Sequence, residues 1–125
     1  MMNHPDEITS PANPRVRAAA GLRDADARRA TGLTLVDGLR EIGRALAAGV
    51  EFIEAFVDRE AAPDPTRAEV LAALAARQVP AVVLARRPFE RIAFGSRNEG
   101  VVAVARFSAR GLDAFAVAHD RPVLV

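Results

Sequence analysis

The 125-residue sequence contains no Cys, Lys, Tyr or Trp, and these absences exclude several classes of function. Without Cys there is neither a disulfide framework nor a thiolate site. Six Phe are the only aromatic residues, which argues against a single-strand binder that stacks bases on aromatic platforms. The only two His, His4 and His119, have no partner that their spacing would place nearby, so no catalytic residue is predicted.

Long apolar runs are also missing. Arg, Asp or Glu interrupts every apolar stretch before the ~20 residues that span a bilayer, and no secretory signal opens the chain. Acidic pairs such as Asp24/Asp26 and Asp58/Glu60 are interpreted as charged turn residues, and no His or Cys cluster has metal-ligand spacing. We therefore expect a cytoplasmic protein with no membrane contact and no metal site.

The chain is rich in arginine. All 17 basic residues are Arg, and their distribution is uneven: residues 10–30 carry five Arg against two acids, residues 31–85 five against eight, and residues 86–125 seven against four. Exclusive use of Arg is typical of a GC-rich genome. It also suits RNA, because the planar guanidinium binds phosphate through two hydrogen bonds and stacks on bases.

Apolar periodicity and turn residues predict alternating helices and strands. Asn13 and Pro14 form a helix start, because Asn caps free amides and Pro at the first helical position loses no hydrogen bond. We predict helices over residues 14–23, 39–49, from 65, and over 88–94, a turn over 28–32, and strands over 33–36, 50–57, 79–85 and 101–105.

This alternation indicates a single α/β domain whose sheet is covered by helices on both faces. In the helix after Pro65, Val70, Leu71 and Leu74 are predicted to face the core and Arg67 and Arg77 to face solvent. No Gly-rich dinucleotide fingerprint and no phosphate loop follows a strand, so the pattern gives little support to a nucleotide-cofactor function.

Several segments, taken in order, resemble a known family. They are ITSPANP at residues 8–14 with Arg28 after it, LVDGLRE at 35–41, ALAAGV at 45–50 and NEGVVAVA at 98–105. Over roughly residues 8–106 the chain resembles the N-terminal substrate-binding domain of SpoU/TrmH-type RNA 2'-O-ribose methyltransferases. The resemblance implies an L30e-like fold, a three-layer α-β-α sandwich around a small mixed sheet, placed ahead of a knotted SPOUT catalytic domain that binds S-adenosylmethionine.

The resemblance also implies a division of the chain. Residues 1–9 are expected to be a flexible leader, 10–106 the RNA substrate-binding domain, 107–120 a linker, and 121–125 the first strand of an absent catalytic domain. The methyl-donor site and the catalytic residues would then follow Val125, so we expect a monomer that binds no cofactor and transfers no methyl group. Ribosomal RNA is implied as the substrate in preference to transfer RNA.

Six residues are candidates for RNA binding: Asn13, Arg15, Arg28, Arg29, Arg40 and Arg44. Asn13 also fits a helix cap, and the first three Arg, taken singly, fit solvated side chains. Arg40 and Arg44 lie four residues apart on one helix face, where like charges repel unless an anion lies across them. If Arg15, Arg28, Arg29 and Arg40 lie together around the start of that helix, they would form one positive patch beside amides that favour phosphate.

A purely structural interpretation exists for Asp37, Gly38 and Glu41. They fit the start of a helix with Gly38 as its cap. The sequence departs from the family pattern in two places: Asp37 stands where Glu is usual, and Asn98 and Glu99 replace His and Gln. The negative charge of Glu99 would weaken a phosphate contact there.

Three hypotheses from different classes follow. They are an RNA-recognition domain, a protein-interaction or assembly module of a larger enzyme, and a generic α/β small-molecule binder or enzyme. Salt dependence separates the first two, because RNA binding through several Arg releases counterions and weakens steeply as salt rises.

Overall fold

A computed structural model describes residues 7–93 and 99–106 of the chain. Within these residues there are five helices and four strands. In chain order they are α1 (Pro14–Gly21), α2 (Ala25–Thr31), β1 (Leu33–Asp37), α3 (Leu39–Ala47), β2 (Glu51–Asp58), α4 (Pro65–Ala76), β3 (Ala81–Leu84), α5 (Arg86–Ile92) and β4 (Val101–Arg106). No helix in the described ranges combines the length and apolar character needed to cross a bilayer. The predicted linker and final strand, residues 107–125, lie outside them, as do both His.

The four strands form one mixed sheet in the order β1-β4-β2-β3. Strands β2 and β3 run parallel, whereas β4 runs antiparallel to both of its neighbours, β1 and β2. Asp37 pairs with Val102, and Val57 pairs with Val101, so β1 and β2 end where β4 begins. Strand β3 ends there too, because Asp58 pairs with Leu84. We refer to this side of the sheet as the carboxyl edge.

Helices cover both faces of the sheet, because its strands send apolar side chains alternately to the two sides. In β4, the side chains of Val101, Ala103 and Ala105 pack with α3 and α4. Those of Val102 and Val104 pack with α1 and α5 on the opposite face. The predicted three-layer α-β-α sandwich around a small mixed sheet is therefore confirmed.

Two helices begin where the sequence places an Asn or Asp before a Pro. Oδ1 of Asn13 accepts a hydrogen bond from the N–H of Arg15 at 2.8 Å, which confirms the predicted start of α1. Oδ1 of Asp64 accepts from the N–H of Thr66 at 2.9 Å at the start of α4. Such caps are each worth about 1 kcal/mol, so they fix the first turns of both helices.

The predicted turn over residues 28–32 is wrong, because these residues end the helix α2. Oδ2 of Asp24 caps that helix by accepting from the N–H of Ala27 at 3.1 Å. Gly32 then ends it at a φ of 72°, a left-handed conformation that favours Gly. Helix α2 has only seven residues and none of them is buried, so it has no apolar periodicity from which a helix could be predicted.

The last residues of the predicted leader reach the sheet. Ile8 is buried and forms a parallel bridge with Leu84. Its N–H donates to the carbonyl of Val83 at 2.8 Å, and its carbonyl accepts from the N–H of Ala85 at 2.9 Å. Ile8 thus covers part of the outer edge of β3. Residues 1–6 lie outside the described part of the chain.

Candidate functional site

A cleft of about 410 Å³ opens at the carboxyl edge. It is formed by the loop after β2, the first turn of α4, the start of α5 and the segment before β4. The lining residues are Ala61, Ala62, Pro63, Asp64, Arg67, Arg86 and Glu99. Open α/β sheets bind ligands beyond the carboxyl ends of their strands, and the volume falls within the range of small-molecule sites. This cleft is therefore a candidate binding site.

Asp58, the last residue of β2, holds Arg86 beside the cleft. The side chain of Asp58 is 0% exposed, and its Oδ2 lies 3.2 Å from Nε of Arg86. Its Oδ1 accepts from the N–H of Glu60 at 2.9 Å. A buried carboxylate is tolerated only when it is paired and hydrogen-bonded, and Asp58 is both. The interpretation of Asp58 as a charged turn residue is therefore wrong, because the residue belongs to the end of a buried strand.

Arg67 lines the cleft, whereas the sequence predicted that it faces solvent. Its two Nη atoms donate to the carbonyls of Ala62 and Glu99. The guanidinium thus joins the first turn of α4 to the loop after β2 and to the segment before β4. Helical periodicity shows that Arg67 points away from the core, but it does not show that two loops fold over it. Arg77, at the other end of α4, is exposed as predicted.

Glu99 caps helix α3 from a distant part of the chain. Its Oε1 accepts a hydrogen bond from the N–H of Leu39 at 2.6 Å, and Gly38, the N-cap residue, has no side chain that could do so. The helix dipole favours a carboxylate at this position. The expectation that Glu99 opposes a phosphate contact therefore has a structural basis, because its own negative charge already lies at the start of α3.

Glu99→Ala is expected to lower the free energy of unfolding by about 1 kcal/mol, the usual cost of a lost helix cap. Glu99→Gln should cost less, because the amide oxygen can still accept from the N–H of Leu39. Urea denaturation of both variants measures the two losses. Equal losses would contradict the capping role, since the acceptor would then make no difference.

Two of the six predicted RNA-binding residues lie at the start of α1. Asn13 uses its side chain as the cap of this helix. Nη2 of Arg15 lies 2.5 Å from Oε1 of Glu54 on β2, in an ion pair whose arginine side chain is 46% exposed. The cap role of Asn13 is thus established, whereas Arg15 is anchored to the sheet and still reaches solvent.

The next two predicted residues, Arg28 and Arg29, lie on α2. Nη1 of Arg28 donates to the carbonyls of Leu22 at 2.9 Å and Arg23 at 2.8 Å, which joins α2 to the end of α1. Arg29 forms an exposed ion pair with Asp26, one turn earlier. Arg28 therefore has a structural task, and the charge of Arg29 is partly compensated.

The last two predicted residues, Arg40 and Arg44, are exposed on α3. Neither forms an ion pair with any residue in the described ranges. Helices α1 and α3 cover opposite faces of the sheet, so Arg15 and Arg40 do not share a surface. The single patch around the start of α3 is thus not formed by all four Arg, because the sequence does not show which face each helix covers. Contact between these residues and RNA stays a prediction.

Among the described helices, α1 and α5, which pack against each other, have the largest excess of Arg over acidic residues. These two helices carry five Arg and one Glu, whereas α3 and α4 carry three Arg and two Glu. Arg17 and Arg87 are exposed and have no ionic partner within the described residues. We define the α1–α5 surface by its exposed arginines: Arg15, Arg17, Arg23, Arg87 and Arg91.

Sequence reasoning missed most of this surface. Four of its five arginines were not among the six candidates: Arg17, Arg23, Arg87 and Arg91. A signal was available, because α1 contains two Arg and no acidic residue. What the sequence could not show is that α5, about 70 residues later, packs beside α1 and adds its own arginines.

The sequence matches the family model of the MRM3-like substrate binding domain over residues 13–103. The chain belongs to this family. The match begins at the cap of α1 and ends within β4, so it takes in the whole cleft and both helices of the α1–α5 surface. Curated protein sequences provide no match to this MRM3-like domain.

Solved structures of methyltransferases contain the same fold. An RNA 2'-O ribose methyltransferase is 33% identical, with a TM-score of 0.74 over 85% of this chain and 39% of its own. The SpoU methyltransferase AviRb from Streptomyces viridochromogenes, in complex with AdoMet, is 23% identical, with a TM-score of 0.70 over 81% and 38%. An AdoMet-bound rRNA methyltransferase from Sinorhizobium meliloti is 22% identical, with a TM-score of 0.66 over 82% and 36%.

The MRM3-like domain spans less than two fifths of each of these methyltransferases. The family match and the 33% identical structure confirm the resemblance found in the sequence. The domain is therefore a substrate-binding domain of the kind that SpoU-class RNA methyltransferases carry.

Proposed function

We propose that this domain recognises RNA, and ribosomal RNA in preference to transfer RNA, as the non-catalytic part of an RNA 2'-O-ribose methyltransferase. The observation that carries the proposal is the membership of the chain in a substrate-binding family, over 91 of its residues from 13 to 103. The name of the Sinorhizobium meliloti neighbour, an rRNA methyltransferase, supports the ribosomal class.

In this proposal the chemistry belongs to a separate SPOUT catalytic domain of the same protein, in the cytoplasm. That domain would bind S-adenosylmethionine, the methyl donor, which is present in two of the neighbouring structures. No residue of the chain described above is assigned to the methyl donor. The task that we assign to the chain is to hold the RNA while another domain reacts with a ribose hydroxyl.

The α1–α5 surface is the part of the domain that we expect to contact the RNA backbone. Its guanidinium groups are exposed, and the two helices that carry it have a large excess of positive charge. Base stacking is not available there, since the chain has only six Phe and no Tyr or Trp. Structured RNA is recognised mainly through its shape, phosphates and 2'-hydroxyls, which suits a surface that is rich in Arg and poor in aromatic residues.

Replacing Arg17 and Arg87 together with Gln is expected to make RNA binding less dependent on salt. Each lost phosphate contact should reduce the slope of log K against log salt by about 0.7 to 0.9, so the double variant should lose about 1.5 to 2. Binding to a structured ribosomal RNA hairpin, measured by fluorescence anisotropy over a salt series, gives the slope. A transfer RNA in the same series tests the preferred class.

Two further double variants serve as controls for the change in salt slope. Arg40→Gln with Arg44→Gln tests the predicted residues on the opposite face, and Arg59→Gln with Arg77→Gln removes the same charge from the acidic middle of the chain. An equal loss in all three variants would show non-specific attraction and contradict a defined surface. Binding that does not change with salt would favour the protein-interaction hypothesis, and no binding at low salt would contradict RNA recognition.

A further inference from the structure

The cleft at the carboxyl edge has the wrong charge for a phosphate. Two guanidinium groups, those of Arg67 and Arg86, stand against two carboxylates, those of Asp64 and Glu99. Asp58 adds a third carboxylate, which is already paired with Arg86. Three negative groups against two positive ones do not attract an anion. The RNA backbone is better accommodated on the α1–α5 surface.

The cleft nevertheless offers hydrogen-bond donors and acceptors that have no partner within residues 7–93 and 99–106. The Nη atoms of Arg86 are donors of this kind, and the side chain is 42% exposed. Asp64 caps α4 through Oδ1 and Glu99 caps α3 through Oε1, which leaves the second carboxylate oxygen of each as an acceptor. The cleft therefore combines a bidentate donor with carboxylate acceptors.

Small side chains form the remaining wall of the cleft. Ala61, Ala62 and Pro63 present a short apolar surface with no polar side-chain atoms. Gly100 packs directly against this wall, because a Cβ added at Gly100 would lie only 2.9 Å from Cβ of Ala61. A flat, neutral ring fits such a wall, provided that its edges carry both donors and acceptors.

Guanine meets these requirements best among the RNA bases. Its O6 and N7 are acceptors for a bidentate Arg, and its N2 amino group is a donor. Its N1–H is a second donor on the same edge, which suits a carboxylate. We propose that the cleft binds a single unpaired guanine of the RNA, with Arg86 at O6 and N7 and the second carboxylate oxygen of Glu99 accepting from N1–H. This inference rests on the proposed function, since it names the RNA base that the domain would recognise.

The position of the cleft fits this assignment. Arg86 lines the cleft and the next residue, Arg87, belongs to the α1–α5 surface. An RNA strand whose phosphates lie along that surface can therefore direct one base into the cleft. Removing a base from its stack costs least when the base is already unpaired, so a loop or bulge is the expected source.

Titration of the 15N-labelled 125-residue chain with nucleoside monophosphates tests the proposal. GMP is expected to shift the backbone amides of Ala61, Ala62 and Gly100 with a millimolar Kd. AMP, CMP, UMP and ribose 5-phosphate carry the same phosphate and should shift them much less. Equal shifts from all four nucleotides, larger shifts from another base, or no shifts at these amides would overturn the proposal.

Matched variants localise the binding. Glu99→Gln keeps an acceptor for the cap of α3 but removes the carboxylate, and it should weaken GMP binding about tenfold, as the loss of one hydrogen bond to a charged group would. Ala62→Phe fills the cleft and should abolish the shifts. Glu69→Gln, an exposed change on α4 away from the cleft lining, should leave the Kd unchanged. Unchanged affinity in both cleft variants would overturn the assignment.

Failure of this inference can be distinguished from failure of the proposed function. If the ribosomal RNA hairpin binds with the expected salt slope while GMP leaves the cleft amides unmoved, RNA recognition stands and the guanine site is overturned. If GMP binds at the cleft but no RNA binds at low salt, the pocket is supported and the RNA function is contradicted.

Discussion

Gly100→Ala is expected to lower the free energy of unfolding by about 3 kcal/mol, because two costs act at this position. Gly100 has a φ of 87°, where residues with a side chain are strained. An added Cβ would also lie 2.9 Å from Cβ of Ala61 and 3.0 Å from Nη1 of Arg67. Neither neighbour can move freely, because the N–H of Ala61 donates to the carbonyl of Asp58 and the guanidinium of Arg67 is held by the carbonyls of Ala62 and Glu99. Urea denaturation measures the loss.

Two other glycines separate these two costs. Gly49 has a similar φ of 84°, but an added Cβ there would meet nothing within 4 Å. Gly49→Ala should therefore show the strain alone, about 1 kcal/mol. Gly21→Ala, in a helix with open space around it, should be neutral or slightly stabilising. A loss at Gly100 no greater than that at Gly49 would contradict the close approach of Gly100 to the cleft wall.

Asp58→Ala is also expected to cost about 3 kcal/mol, since it removes the hydrogen bond and the ion pair of a buried carboxylate. The N–H of Glu60 would lose its acceptor, and the half-buried guanidinium of Arg86 would lose its counter-charge. Asp58→Asn should cost roughly half as much, because the amide oxygen can still accept from Glu60. Thermal and urea unfolding give the differences.

An exposed ion pair provides the matched comparison. Oε1 of Glu51 lies 3.7 Å from Nε of Arg106, and both side chains are more than half exposed. Glu51→Ala should therefore change stability by no more than about 0.5 kcal/mol. If Asp58→Ala cost as little as Glu51→Ala, the ion pair with Arg86 would contribute nothing to the stability of the fold. That result would contradict the role of Asp58 in holding Arg86 beside the cleft.

The fold could be predicted from the sequence wherever burial leaves a periodic pattern. The apolar run of β2 is typical of a strand that is covered on both faces, and Ala55 and Phe56 pack on opposite faces of the sheet. Leu39, Ile42 and Leu46 recur at helical spacing, and all three are buried. Helix α2 leaves no such pattern, so it was missed.

The cleft could not be predicted in the same way, because its parts are distant in sequence. Glu99 contacts the amide of Leu39, 60 residues earlier. Asp58 and Arg86 form their ion pair across 28 residues, and each looks like an ordinary charged turn residue when read alone. Such contacts depend on strand register, and the sequence pattern fixes only the existence of the strands.

The prediction of the RNA-binding arginines was incomplete for a related reason, since the sequence does not show which face of the sheet each helix covers. The six candidates were chosen by resemblance and by their position near helix starts. Which of them share a surface depends on the crossovers, which place α1 with α5 on one face and α3 with α4 on the other. The charge pattern along the chain therefore indicated that Arg residues form the basic surface, but it identified only one of the arginines of the α1–α5 surface, Arg15.

The position of β4 also has a consequence for the order in which the protein forms during synthesis. Among the four described strands β4 comes last in sequence, yet it lies between β1 and β2 and is the partner of both. Until Val101–Arg106 has left the ribosome, β1 has no partner in this sheet and one side of β2 remains open. Unpaired strand edges of this kind attract other chains. Because its longest-range contacts close last, the domain should fold slowly and in one cooperative step, as the nascent chain delivers β4 to the middle of the sheet.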